Sequence, residues 1–106
     1  MDQDARVLCC ASKYAQKYYL NPEFGNLPEQ VKQELQILAV SFTEGVGGII
    51  MFAYDEDGNL GIMTEKDEGD LFYDEIGAEL LISRMQREKK ELFEQLEEYY
   101  REFFLK

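Results

Sequence analysis

The run Ile49-Ile50-Met51-Phe52-Ala53-Tyr54 constrains the fold of this chain more than any other feature. It is short, unbroken, rich in β-favouring residues and apolar at odd and even positions alike. Such a run reads as a strand that needs cover on both faces. Asp55-Glu56-Asp57-Gly58-Asn59 follows it as a turn, with Gly58 suited to a left-handed backbone. Leu60 to Lys66 is the returning strand, with Leu60, Ile62 and Thr64 on one side and Met63 on the other. Gly45-Val46-Gly47-Gly48 leads into the hairpin. It precedes a strand and carries no lysine, so it reads as a tight helix-to-strand connection and not as a phosphate cradle, which opens a helix.

Helices are predicted on both sides of the hairpin. Val7, Leu8, Ala11, Tyr14, Ala15 and Tyr18 recur at helical spacing, which predicts a first helix from about Gln3 to Tyr19. Pro22 and Gly25 mark the turn after it. Pro28 opens a second helix, because its missing donor would be unpaired in a first turn anyway. Val31, Leu35, Leu38, Ala39 and Phe42 form the apolar stripe of that helix, which ends near Thr43. A third helix is predicted from Asp74 to about Phe104. Ile76, Leu80, Leu81 and Met85 make one apolar patch, and Leu92 to Phe104 a second, aromatic one. Gln86 to Glu91, between them, holds no apolar side chain. The expected architecture is therefore α+β in the order α-α-β-β-α, one domain over residues 1–106.

Thirty helical residues reach roughly 45 Å, whereas a compact domain of this length is about 30–35 Å across. A straight third helix would overhang, leaving Tyr99, Tyr100, Phe103 and Phe104 without cover. A lone hairpin also has edges open to pairing. Both features point to a homodimer; a bend, or helices packed alongside, would account for the same residues.

The 106 residues carry a formal charge of −11, placed unevenly. Residues 55–79 hold ten acids and a single base, Lys66, while the last 27 residues are balanced. This distribution argues against nucleic acid and against an anionic membrane surface, both of which need clustered Lys and Arg. Arg84, Arg87, Lys89 and Lys90 alternate with Glu88 and Glu91, as on a solvated helix face. No apolar stretch approaches a membrane span. Cys9 and Cys10 are the only cysteines, and with no histidine in the chain a thiol nucleophile lacks its usual partner. The expected setting is the cytoplasm, and no cofactor is implied.

The acidic segment is the one unusual chemical feature. Glu65, Asp67, Glu68, Asp70 and Asp74 are candidate ligands for a divalent cation, since hard cations take carboxylate oxygens. The spacing fits no EF-hand: started at Asp55, the required glycine falls on Leu60 and the final glutamate on Lys66. The reading favoured here is an interaction or adaptor surface for a basic partner, formed by Asp67, Glu68, Asp70, Asp74 and Glu75 with the aromatic group Tyr99, Tyr100, Phe103 and Phe104. Divalent-metal or small-ligand binding at residues 65–75 is the alternative. Paired carboxylates could serve acid–base chemistry, but no nucleophile accompanies them.

Tyr18-Tyr19-Leu20-Asn21-Pro22-Glu23-Phe24, Val46-Gly47-Gly48-Ile49, and Asp67-Glu68-Gly69-Asp70 with Asp74-Glu75-Ile76-Gly77 resemble a family of short bacterial proteins carried as a domain of unknown function. The resemblance covers nearly the whole chain. It implies a bacterial, cytoplasmic, stand-alone domain, and it brings no activity, ligand or catalytic residue.

Overall fold

The computed structural model describes residues 6–105. Strands β1 (Arg6–Ser12) and β2 (Lys17–Leu20) come first, followed by α1 (Glu29–Val46). Strands β3 (Ile49–Tyr54) and β4 (Leu60–Glu65) follow, then α2 (Glu75–Glu88) and α3 (Lys90–Phe104). The element order β-β-α-β-β-α-α corrects the expected α-α-β-β-α at its first element. Residues 6–20 form a hairpin where a helix was predicted; Gln3 to Ala5 of that helix lie outside the described residues. The physical reason is that Val7 to Ala11 is a continuous apolar run, which helical and strand periods fit equally. The β-favouring Tyr18-Tyr19 pair and the turn at Gln16, with φ of 52°, decide for the hairpin.

The sheet is antiparallel throughout, in the order β2-β1-β3-β4. The second hairpin lies where it was predicted, but β3 is an interior strand paired with β1, not an open edge. A bulge between Val7 and Cys9 inserts Leu8, so that Leu8 and Cys9 are both fully buried. Asn21 secures this irregularity. Its amide nitrogen donates to the Val7 carbonyl at 2.8 Å and its backbone N–H to the Leu8 carbonyl at 3.0 Å.

All the helices lie on one face of the sheet. Cys9, Ala11, Ile50, Phe52 and Tyr54 join Leu35, Ala39, Phe42, Met85, Leu96 and Tyr100 in one core cluster. These strand residues share a face by register, since Cys9 pairs with Phe52, Ala11 with Ile50 and Phe52 with Ile62. The opposite face receives no helix, and the row Tyr19, Cys10, Met51 and Met63 crosses it from edge to edge.

Helix α1 lies where a helix was expected, but Pro28 is its N-cap and not part of its first turn, and it runs through Gly45 to Val46, past the expected end near Thr43. The predicted single third helix is broken at Lys89, with φ −111° and ψ 24°. The break falls in the stretch without apolar side chains, where packing has no continuous stripe to hold. Lys89 instead reaches Glu34 of α1 at 2.7 Å. The break lets α3 fold back on the sheet. Its aromatic end is packed rather than overhanging: Phe24 lies 4.9 Å from Phe104 and 6.3 Å from Tyr100, and Tyr54 stacks on Tyr100 at 4.0 Å. The Tyr54 hydroxyl donates to the Leu96 carbonyl at 2.9 Å. Glu97 accepts the Leu60 N–H at 2.8 Å, satisfying a group on edge strand β4.

Candidate functional site

The segment 66–74, between β4 and α2, carries most of the acidic candidates. Gly48 positions it. With φ of 71°, this residue lets the Tyr73 ring approach so closely that a Cβ there would meet the ring at 2.6 Å and the Glu65 carbonyl oxygen at 2.7 Å. Tyr73 thus anchors the loop against the end of α1, and the Asp74 N–H donates to the Val46 carbonyl at 3.3 Å. Lys66 sits 5.9 Å from the Tyr73 ring centroid and 3.2 Å from Glu75.

The far side of the loop is tied to the β1–β2 turn. The Tyr14 hydroxyl donates to Asp70 Oδ2 at 2.5 Å and accepts the Asp67 N–H at 2.9 Å. Asp70 Oδ1 accepts the Phe72 N–H at 2.9 Å. The hydrogen bond from Tyr14 holds the Asp70 carboxyl below its ordinary pKa and pushes the Tyr14 phenol above its own. Asp74 caps α2, accepting the Gly77 N–H at 2.8 Å.

Three of the candidate carboxylates therefore face three different local donors: Asp70 faces Tyr14, Asp74 faces Gly77 and Glu75 faces Lys66. Glu65, Asp67 and Glu68 are exposed. Among the described residues no group of three or more such side chains is placed to hold a metal ion. Of the aromatic candidates, Tyr100 is buried, Tyr99 and Phe104 are half-buried against the core, and Phe103 is exposed.

What sequence reasoning missed is the apolar content of the loop. Leu71 is 91% exposed and Phe72 96% exposed. Ile76 and Leu80, predicted to be core, also face water, one turn apart on α2. Leu81 turns inward to a groove of about 230 Å³ between α1 and α2, where Ile37, Leu38 and Met85 are neighbours. The available signal was Leu71-Phe72 standing among acids ahead of the capping residue Asp74, outside the helix that carries Ile76 and Leu80. Elsewhere, a polar cleft of about 340 Å³ lies between the β1–β2 turn and α1, beside Lys13, Lys17, Gln36 and Glu44. Cys9 is sealed in the core, where burial pushes its thiol up to about 12 and keeps it protonated.

A four-stranded antiparallel sheet covered on one face by helices, with a braced acidic loop holding two apolar side chains in water, defines a two-layer α+β domain with a presented surface segment. The chain belongs to a family of unknown function (DUF6145), whose family model matches residues 5–106. No curated protein and no solved structure matched the chain.

Proposed function

We propose that this protein is a small protein–protein interaction or adaptor module that docks through residues 67–80. Leu71 and Phe72 are its anchors, and Asp67, Glu68, Asp70, Asp74 and Glu75 form its acidic rim. The observation that carries this reading is the near-complete exposure of Leu71 and Phe72 on a backbone held at both ends by hydrogen bonds and by Tyr73. A loop already in place loses little further entropy on binding. Burying each anchor contributes about 1.5–3 kcal/mol, in the manner of a binding hot spot. The partner chemistry is an apolar pocket ringed by Lys or Arg. Ile76 and Leu80 continue the apolar strip along α2. A divalent-cation reading of the same acids is weaker, because Asp70, Asp74 and Glu75 each already face a donor.

The proposed setting is the bacterial cytoplasm, in keeping with two adjacent free cysteines. Among the described residues no helix is long and apolar enough to cross a membrane.

The test compares the wild type with a Leu71→Ser/Phe72→Ser variant in pull-downs from the native cytosol, with the recovered proteins identified by mass spectrometry. The expected result is a specific protein held by the wild type, lost by the variant, and released as salt rises from about 50 to about 500 mM. Recovery of the same proteins by both chains at both salt levels overturns the reading.

A further inference from the structure

The uncovered face of the sheet is a second surface. Its central row, Tyr19, Cys10, Met51 and Met63, is uncharged and spans all four strands. Tyr19 is 49% and Met63 42% exposed. Neither Cys10 nor Met51 belongs to the core cluster or packs against it. An antiparallel sheet with one face in water ordinarily alternates apolar and polar residues along each strand, and β3 does not.

The adjoining row supplies a charge pattern. By register, Lys17 on edge strand β2 and Glu65 on edge strand β4 belong to this face at the same level, joined across the sheet by Ser12 and Ile49, and as end-of-strand residues each also borders a cleft on the helix side. Three strand spacings, about 14 Å, separate them, so they cannot pair within one chain. Neither has an ion-pair partner among the described residues. A two-fold axis running along the strands between two stacked sheets carries β2 over the β4 of the other copy. That single operation sets Lys17 over the partner's Glu65, twice over. It also sets Tyr19 over the partner's Met63 and Cys10 over the partner's Met51. The face is complementary to itself, as an isologous interface requires.

We infer that the protein forms a homodimer by face-to-face packing of this open sheet surface, with Lys17 and Glu65 pairing across both edges. Aligned sheets stack about 10 Å apart with their strands within roughly 30° of each other, a gap that extended Lys and Glu side chains span. Four strands of about six residues present roughly 400 Å² in plane. Stacking two such faces covers about 800 Å² in plane, a small interface whose alignment rests on the charged pairs. At the far end of the face Ala53, 4% exposed, lies between Val7 and Gly61. The charged pairs set the alignment of two chains whose net charge of −11 would otherwise hold them apart.

Equilibrium sedimentation of the full chain tests this. The wild type is expected at twice its 12.4 kDa mass at micromolar concentration. Met51→Glu is expected at the single-chain mass with an unchanged far-UV circular dichroism spectrum. Lys17→Glu sets two glutamates together at each edge and is expected to weaken the dimer about tenfold or more. The Lys17→Glu/Glu65→Lys swap is expected to restore it. Lys17 and Glu65 are exposed, so this series stays informative even if Met51→Glu does not fold. A wild type that remains single at about 100 µM, a folded Met51→Glu chain that still dimerises, or a dimer indifferent to Lys17→Glu each overturns the inference.

Discussion

The hydroxyl of Tyr14, in the turn between β1 and β2, donates to Asp70 Oδ2 at 2.5 Å, across 56 residues of sequence. The same oxygen accepts the Asp67 N–H, so one phenol bridges two points of the acidic loop. The first hairpin, absent from the sequence-based expectation, is what steadies the candidate docking segment.

Replacing Tyr14 by Phe removes both hydrogen bonds and keeps the ring. Amide exchange at Asp67 and Phe72 is expected to accelerate, and proteolytic nicking within 66–72 to increase, while amides of β1 and β3 keep their protection. Site-resolved hydrogen exchange checks this. Equal protection of the loop in both chains would refute the brace.

The brace has a defined pH window. The Asp70 pKa in the folded chain lies below its ordinary 3.8, so its contribution is complete above 3.8 and is lost as pH falls through the lower folded value. The Tyr14 pKa lies above its ordinary 10.0, so its contribution is complete below 10.0 and is lost as pH rises through the higher folded value. Between these limits loop order should be flat with pH. The chain has no tryptophan, so a Phe72→Trp variant gives a single indole reporter. Its fluorescence anisotropy is expected to hold across that window and drop outside it, and Tyr14→Phe should erase the acid-side step.

Gly48→Ala tests how the loop is anchored. The added Cβ meets both the Tyr73 ring and the Glu65 carbonyl at a positive φ. The expected cost is about 2 kcal/mol or more in urea unfolding, with Tyr73 displaced. A variant as stable as the wild type would mean that the approach of Tyr73 is looser than described.

The aromatic cluster sets a larger scale. Phe24 is fully buried among Tyr54, Tyr100 and Phe104, and Phe24→Ala is expected to destabilise by about 3–5 kcal/mol. Tyr54→Phe removes only the hydrogen bond to the Leu96 carbonyl, at an expected cost of about 1 kcal/mol. Denaturant titrations should rank the two accordingly. A reversed order would mean that Phe24 does not hold α3 to the sheet.

Local chemistry was legible from the residues alone. Pro28 ahead of α1, the 55–59 turn between β3 and β4, and Asp74 at the start of α2 all lie where their backbone preferences put them. The apolar gap from Gln86 to Glu91 was visible, but the expectation carried one helix through it, and the break at Lys89 falls inside that gap. The concentration of acids in 65–75 was equally plain, as was the apolar character of β3 on both faces.

Tertiary structure decided the rest. The local signals at Gln16 and Tyr18-Tyr19 permit the first hairpin, and β1 is held in it by pairing with β3, 37 to 48 residues away, which no local period encodes. Ile76 and Leu80 read as core in one dimension, and only the placement of α2 leaves them in water; Leu71 and Phe72, in the loop ahead of α2, were not singled out at all. Each carboxylate's direction likewise follows from which donor the folded chain brings near it, Tyr14 for Asp70 and Lys66 for Glu75. Propensity and capping act within a few residues, whereas exposure and pairing belong to contacts that exist only once the sheet has closed.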